Sequence, residues 1–173
     1  MTTTTDTQVL TPRAVSESHT VMTQLVFPEH ANALGKAFGG QIMAWSDMCG
    51  GICSMRHSGG NTVTASIDDL HFDRPVNIGD TVIIEARVNA AFTSSMEIEV
   101  TVEGENPVTR ERWRCVDALM TFVAIDAQTK PRRVPPLLLD SEEVKARAAA
   151  ATARREERLA KRKANPKRTP TAG

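Results

Sequence analysis

The stretch from Gly39 to His57 constrains this chain most, because it is the one long helical pattern ahead of a run of strands. At about 100° per residue, Ile42, Trp45, Cys49, Ile52 and Cys53 fall on one side. Gly40, Met43, Ala44, Asp47, Gly50, Gly51 and Ser54 fall on the other. A surface helix carries Lys, Glu, Gln or Arg on its outer face, yet Asp47 is the one charge here before Arg56. Neither face is built for water. Paired glycines inside a helix cost about 1 kcal/mol each relative to alanine, and a helix keeps them where something approaches its backbone closely. That something is a partner subunit or a ligand. Asp47 is then either a carboxylate used in chemistry or an ordinary exposed or capping one.

The rest of the chain, as far as about Asp126, has the patterning of a sheet. His19 to Val26 alternates as a first strand and ends at Pro28. A loop from Glu29 to Phe38 carries Asn32 and leads into the helix start, whose exposed N–H groups form a site for negative charge. Thr62 to Phe72 is strand-like, with Val63, Ala65 and Ile67 on one face and a break at Asp68 and Asp69 that suggests a bulge. Ile78 to Asp80 marks a turn. Val82 to Phe92 and Met96 to Val102 alternate as an antiparallel pair around Thr93, Ser94 and Ser95. Arg112 to Ile125 is a last long strand, apolar on both faces in its later part, and such a strand belongs in the middle of a sheet. From Ser141 to about Lys163 Ala, Glu, Lys and Arg give a charged helix. One helix after the first strand, followed by four or five antiparallel strands, is an α+β layout with no alternation of strands and helices. The expected organisation is a disordered tail over 1–16, a single domain over 17–136, and a basic helix and tail over 137–173.

A chain of 173 residues suits one domain with a sizeable core. Its three cysteines, Cys49, Cys53 and Cys115, lie in apolar patterns without metal-ligand spacing, which makes them reduced core residues. No metal site is expected. No apolar run approaches a membrane span and no basic start precedes an apolar leader, so a cytoplasmic protein is expected. The net charge of zero hides an asymmetry: residues 141–173 hold 10 basic and 4 acidic side chains, which leaves 11 and 17 for the rest. A basic tail of this kind can meet nucleic acid, an acidic surface or a phosphate-bearing ligand. Nucleic acid is disfavoured because there is no tyrosine, and Trp45 and Trp113 sit in core patterns rather than free to stack bases. No glycine-rich phosphate loop, dinucleotide fingerprint, zinc-binding HExxH or serine nucleophile elbow is present.

Several segments together resemble the hotdog-fold acyl-CoA thioesterases, in particular the bacterial short- and medium-chain enzymes and the cytosolic brain-type acyl-CoA hydrolases. They are Asn32 to Gly35 followed by Phe38 to Gly40, Trp45 to Asp47, Arg56 with His57, Val63 to Asp69 with His71 and Phe72, Gly79 with Asp80, Thr93 to Glu97, and Val134 to Pro136. Each is weak alone, and the ordered set is specific. The resemblance implies an antiparallel sheet wrapped around one central helix, subunits that pair to extend the sheet, and a trimer of such dimers. It implies hydrolysis of an acyl-CoA thioester to a free fatty acid and CoA at sites between subunits. Asp47 would be general base or direct nucleophile, and Asn32 would come from the partner subunit. The N–H of Gly40 would stabilise the developing oxyanion. Arg56, His57, Thr93, Ser94 and Ser95 are the candidates for gripping CoA, with basic residues of the tail reaching its phosphates. Arg56 and His57 are equally suited to closing a helix dipole, and the two serines to forming a turn. No bound cofactor is implied, since coenzyme A is part of substrate and product. Lys36 and Ser46 depart from the family pattern, where a hydroxyl or amide residue and a bulkier apolar residue are common. Two further functions fit such a fold: an acyl-CoA hydratase or dehydratase, and a non-catalytic acyl-CoA sensor.

Overall fold

The computed structural model describes residues 10–164. Its elements are α1 (Val15–Ser18), β1 (Thr20–Leu25), a 3-10 turn at Pro28–His30, α2 (Gly39–Ser58), β2 (Thr62–Phe72), β3 (Thr81–Ala91), β4 (Ser95–Glu105), β5 (Arg112–Ala124) and α3 (Glu142–Ala164). The period-2 stretches pair antiparallel throughout, in the order β1-β3-β4-β5-β2. Strand β5 is interior, as its apolar faces require, but the middle place belongs to β4. β2 forms one edge, and its register shifts between Thr64 and Ser66 and again between Asp68 and His71, where the acidic pair interrupts the alternation.

Helix α2 packs against all five strands. Its buried residues join the inward side chains of the sheet in one core with Ile84, Val88, Ile98, Val100, Val116, Met120 and Phe122. The helix buries Ile42, Trp45, Cys49 and Cys53 as its hydrophobicity suggests, but its buried face is wider on one side. Gly50 and Ser54, expected on the outer face, are buried, whereas Ile52 is only partly so. The reason is fit. A Cβ on Gly50 would meet the Phe122 ring at 3.0 Å, so the missing side chain lets the helix come down onto the sheet. Ser54 satisfies its hydroxyl on Gly51 O at 2.7 Å and on the Thr62 hydroxyl at 2.6 Å.

The C-terminal end of α2 is closed by two arginines. Arg13 Nη1 donates to Arg56 O (2.5 Å) and His57 O (3.0 Å), and Arg132 Nη2 donates to Ser58 O (3.0 Å). Cations there meet the unpaired carbonyls and the negative end of the helix dipole. Gly59, at φ 72°, takes the left-handed turn that ends the helix and returns its N–H to Met55 O. This changes the expected boundaries. Residues 1–9 lie outside the described residues, but Arg13 is fixed, its N–H bonded to Pro136 O and its carbonyl to Leu138 N, and α1 follows directly. A backbone pairing and a capping cation leave no apolar periodicity, so the stretch had the look of a tail. The chain divides after Leu138 into two compact units. In the second, α3 starts where Ser141 Oγ accepts the Val144 N–H, and Glu142 and Glu143 pair with Lys145 and Arg147 one turn on. The loose end expected from Asn165 lies outside the described residues. Among the described residues no helix is long and apolar enough to cross a membrane.

On β4, Gly104 makes room for Trp113 of β5, whose ring a Cβ would meet at 2.4 Å. That ring cannot yield freely: its Nε1 donates to Pro75 O at 3.2 Å and Arg74 lies 5.1 Å above it. Gly104→Ala is therefore expected to cost about 1–3 kcal/mol through overpacking, read as a lowered urea midpoint. An unchanged midpoint would mean that Trp113 moves at no cost.

Candidate active site

The outward stripe of α2 is Gly40, Met43, Ala44, Asp47, Met48, Gly51 and Met55. Its methionines are well exposed, Met48 at 54%. Asp47 is the single charge in it, and it is held: Oδ1 accepts the Thr64 hydroxyl from β2 at 2.6 Å. Thr64 was not singled out from the sequence, although it lies within the Val63 to Asp69 segment. In a strand it reads as an ordinary β-branched residue until the helix is placed beside it.

Asn32 sits in the loop between the 3-10 turn and α2. Its Oδ1 accepts the N–H groups of Leu34 (2.9 Å) and Lys36 (3.2 Å), an Asx turn completed by Gly35 at φ 68°. No described residue takes up its side-chain NH₂, so that end is a spare donor. The loop is fastened at Ala37 N to Val76 O (2.8 Å) and by Lys36 Nζ to Asn77 Oδ1 (2.5 Å). Gly40 is exposed in the first turn of α2, where no side chain caps the helix. First-turn N–H groups have no intrahelical acceptor. Among the described residues of a single chain, no hydrogen bond joins Asn32 to Asp47.

Arg56 and the hairpin tip lie at the other end of the helix. Arg56 Nη1 donates to His19 O and Thr20 Oγ1, both at 3.0 Å. Thr93, Ser94 and Ser95 form the β3–β4 turn, fastened by their carbonyls to Val134 N, Ala124 N and Phe92 N. His57 is fully buried, its Nε2 donating to Pro135 O at 3.1 Å, and burial holds its pKa below the ordinary histidine value. It is a neutral core residue in this chain, fixing the 134–135 segment that also meets Thr93. The helix between Gly40 and Arg56 spans about 24 Å at 1.5 Å per residue. One chain therefore unites Asp47 with Thr64 and keeps the Asn32 and Gly40 end apart from the Arg56 and Ser94 end.

The cysteines are free and buried, as expected. Burial pushes the Cys49 thiol up to about 11, Cys53 to about 12 and Cys115 to about 11, so none is a thiolate nucleophile at neutral pH. Among the described residues no group of three or more His, Cys, Asp or Glu could hold a metal ion.

Residues 34–110 match the model of the thioesterase superfamily. An uncharacterised acyl-CoA thioester hydrolase of Bacillus subtilis, YkhA, is 39% identical over 131 residues, which are 76% of each chain. The chain belongs to the thioesterase superfamily. Within the superfamily it is also 40% identical over 140 residues to mouse acyl-coenzyme A thioesterase 11, matching 80% of this chain but spanning only 23% of the mouse protein. A hexameric acyl-CoA thioesterase, solved in its apo form, superposes with a TM-score of 0.83 at 35% identity, covering 88% of this chain and 97% of that one. The Staphylococcus aureus acyl-CoA hydrolase, solved with butyryl-CoA and CoA, superposes at 0.81 with 33% identity, over 90% and 94%. That hydrolase has also been solved with an aspartate, an asparagine or a threonine changed to alanine. The superfamily's hotdog fold, one helix wrapped by an antiparallel sheet, is the fold described above.

Proposed function

We propose that this chain hydrolyses acyl-CoA thioesters to the free acid and coenzyme A, at sites shared between subunits. The observation that carries the reading is Asp47, held by Thr64 on an exposed helix stripe of small and flexible side chains. The Thr64 hydroxyl occupies Oδ1 and leaves Oδ2 as general base. A water oxygen attacks the thioester carbon as Asp47 takes its proton, and the oxyanion is met by the Gly40 N–H and the spare NH₂ of Asn32 of the partner subunit. The tetrahedral species then collapses, the C–S bond breaks, and the CoA thiolate takes the proton from Asp47. A thiol is a good leaving group, with an ordinary pKa near about 8.5, so the step needs neither a metal nor a bound cofactor. The three residue types altered in the Staphylococcus aureus hydrolase are those found at Asp47, Asn32 and Thr64.

Self-association supports the same reading. Edge strand β2 shows Ile67 at 38% exposure on the face that turns Thr64 toward α2, and Met43, Met48 and Met55 of α2 are exposed as well, apolar surface suited to a second copy. Antiparallel pairing of two β2 edges would continue the sheet and reverse the partner's helix, setting the Asn32 and Gly40 end of one chain toward the Arg56 and Ser94 end of the other. Arg56, Thr93, Ser94 and Ser95 would then grip CoA. His57 would act only by holding the 134–135 segment. The pairs would assemble further as a trimer of dimers, as a hexameric relative suggests. Three free buried cysteines suit a reducing compartment, and the cytoplasm is the proposed location.

The test is release of free thiol from acyl-CoAs of short, medium and long chain. Wild-type protein should release thiol from at least one class. Asn32→Ala should lose most of the turnover, and Thr64→Ala about 10- to 100-fold, the worth of one hydrogen bond to a charged group. No release from any ester would overturn the reading.

A further inference from the structure

Asn32 can serve a site only if its loop is held in one place relative to α2, and a single side chain meets both. His30 closes the 3-10 turn two residues before Asn32. Its backbone carbonyl accepts the N–H of Phe38, the residue that caps α2, at 2.8 Å, so the loop leaves and rejoins at His30. Its ring stands edge-on to Trp45 of α2, with centroids 5.0 Å apart and planes at 83°, and tilts against Phe27 at 5.8 Å. Its Nδ1 accepts the Phe27 N–H at 3.2 Å, which puts the ring proton on Nε2 and locks the ring's rotation. Trp45 is itself anchored in the core, 6% exposed, and lies two residues before Asp47.

We infer that His30 is a positioning residue for the hydrolytic reaction, a bracket that registers the Asn32 loop on α2 of its own chain, and with it the donor that this chain offers to the site shared with the partner subunit. The inference rests on the assignment of Asn32 and Asp47 above. A T-shaped aromatic pair has a definite distance and angle, so it adds a side-chain hold on α2 to the bonds that already tie Phe38, Ala37 and Lys36. Removing the ring takes away the loop's side-chain hold on α2 and leaves the bonds of Ala37, Phe38 and Lys36, so the donor NH₂ of Asn32 is less sharply placed. Misplacement of a catalytic group by an ångström lowers turnover without weakening substrate binding. His30 thus acts on the chemical step through Asn32, and not by touching CoA.

The experiment is steady-state thiol release by the full-length protein with His30→Ala, His30→Phe and His30→Asn, beside Asn32→Ala, with melting temperatures measured in parallel. His30→Ala should lower kcat about tenfold or more while KM stays within about twofold and the melting temperature changes little. His30→Phe keeps an edge on Trp45 and should recover most of the kcat. His30→Asn keeps an acceptor for Phe27 but no ring, and should stay low. An unchanged kcat in His30→Ala, a rise confined to KM, or a His30→Phe variant as impaired as His30→Ala would overturn the bracket. Should His30→Ala unfold, the comparison of the Phe and Asn variants decides. Full activity in Asn32→Ala would refute the site assignment itself, whereas an inactive Asn32→Ala beside a fully active His30→Ala would refute only this inference.

Discussion

Asp47→Ala is expected to lower kcat for thiol release by about 10²- to 10⁴-fold, the range supplied by a positioned general base. The fold should survive the change. Asp47 is on the outer stripe of α2, in no part of the core, and its described bond is to the Thr64 hydroxyl, which is exposed and can turn to water. The far-ultraviolet spectrum and oligomeric mass should therefore match wild type, and KM should change less than kcat. A single turnover in heavy-oxygen water separates base from nucleophile. If Asp47 activates water, the acid released in the first turnover carries the label. If Asp47 attacks to form an anhydride that water opens at the aspartyl carbon, the first acid released is unlabelled. Retention of more than half the wild-type kcat by Asp47→Ala would remove Asp47 from the chemistry altogether.

Phe122→Ala should cost about 3–5 kcal/mol, among the larger effects of truncating one core residue. The ring is 2% exposed and is the largest fully buried side chain. It faces Gly50, which has nothing with which to refill the space, so the cavity cannot collapse without moving the whole helix. Since the chain's assembly would add to its stability by mass action, wild type and variant should be compared by urea unfolding at one protein concentration. The midpoint should fall with little change in slope. A loss below about 1 kcal/mol would mean that α2 resettles on the sheet, which the limits of close packing disfavour.

Much of the fold was legible because period 2 was clean along the strands. Thr62 to Phe72 was read to the residue, as was the start of α2, and the bulge was visible where Asp68 and Asp69 break the alternation. The width of the buried face of α2 was less so. A helix without a polar stripe has no hydrophobic phase, and the sense of Gly50 was fixed by the shape of Phe122, a residue 72 positions on, as the numbering shows. Asp47 stood out as the lone charge on the small-residue face of the helix, whereas the roles of Asn32 and Gly40 were reached through resemblance. Thr64 and His30 were missed because their roles are relations in space: one hydroxyl against one carboxylate, one ring edge against one indole. His57 shows the converse. A histidine at a helix end beside an arginine looks available for a nucleotide, and only its burial against Pro135 shows that the core uses it.

The pairing of Arg13 with Pro136 and Leu138 has a consequence for the evolution of the chain. The first and last backbone of the body lie side by side, so the body is topologically almost a ring. A short linker between those points would permit circular permutation, with new termini opened at an exposed turn such as 107–111. The same closure lets genes add segments after Leu138, or string copies of the body along one polypeptide, without re-threading a single strand.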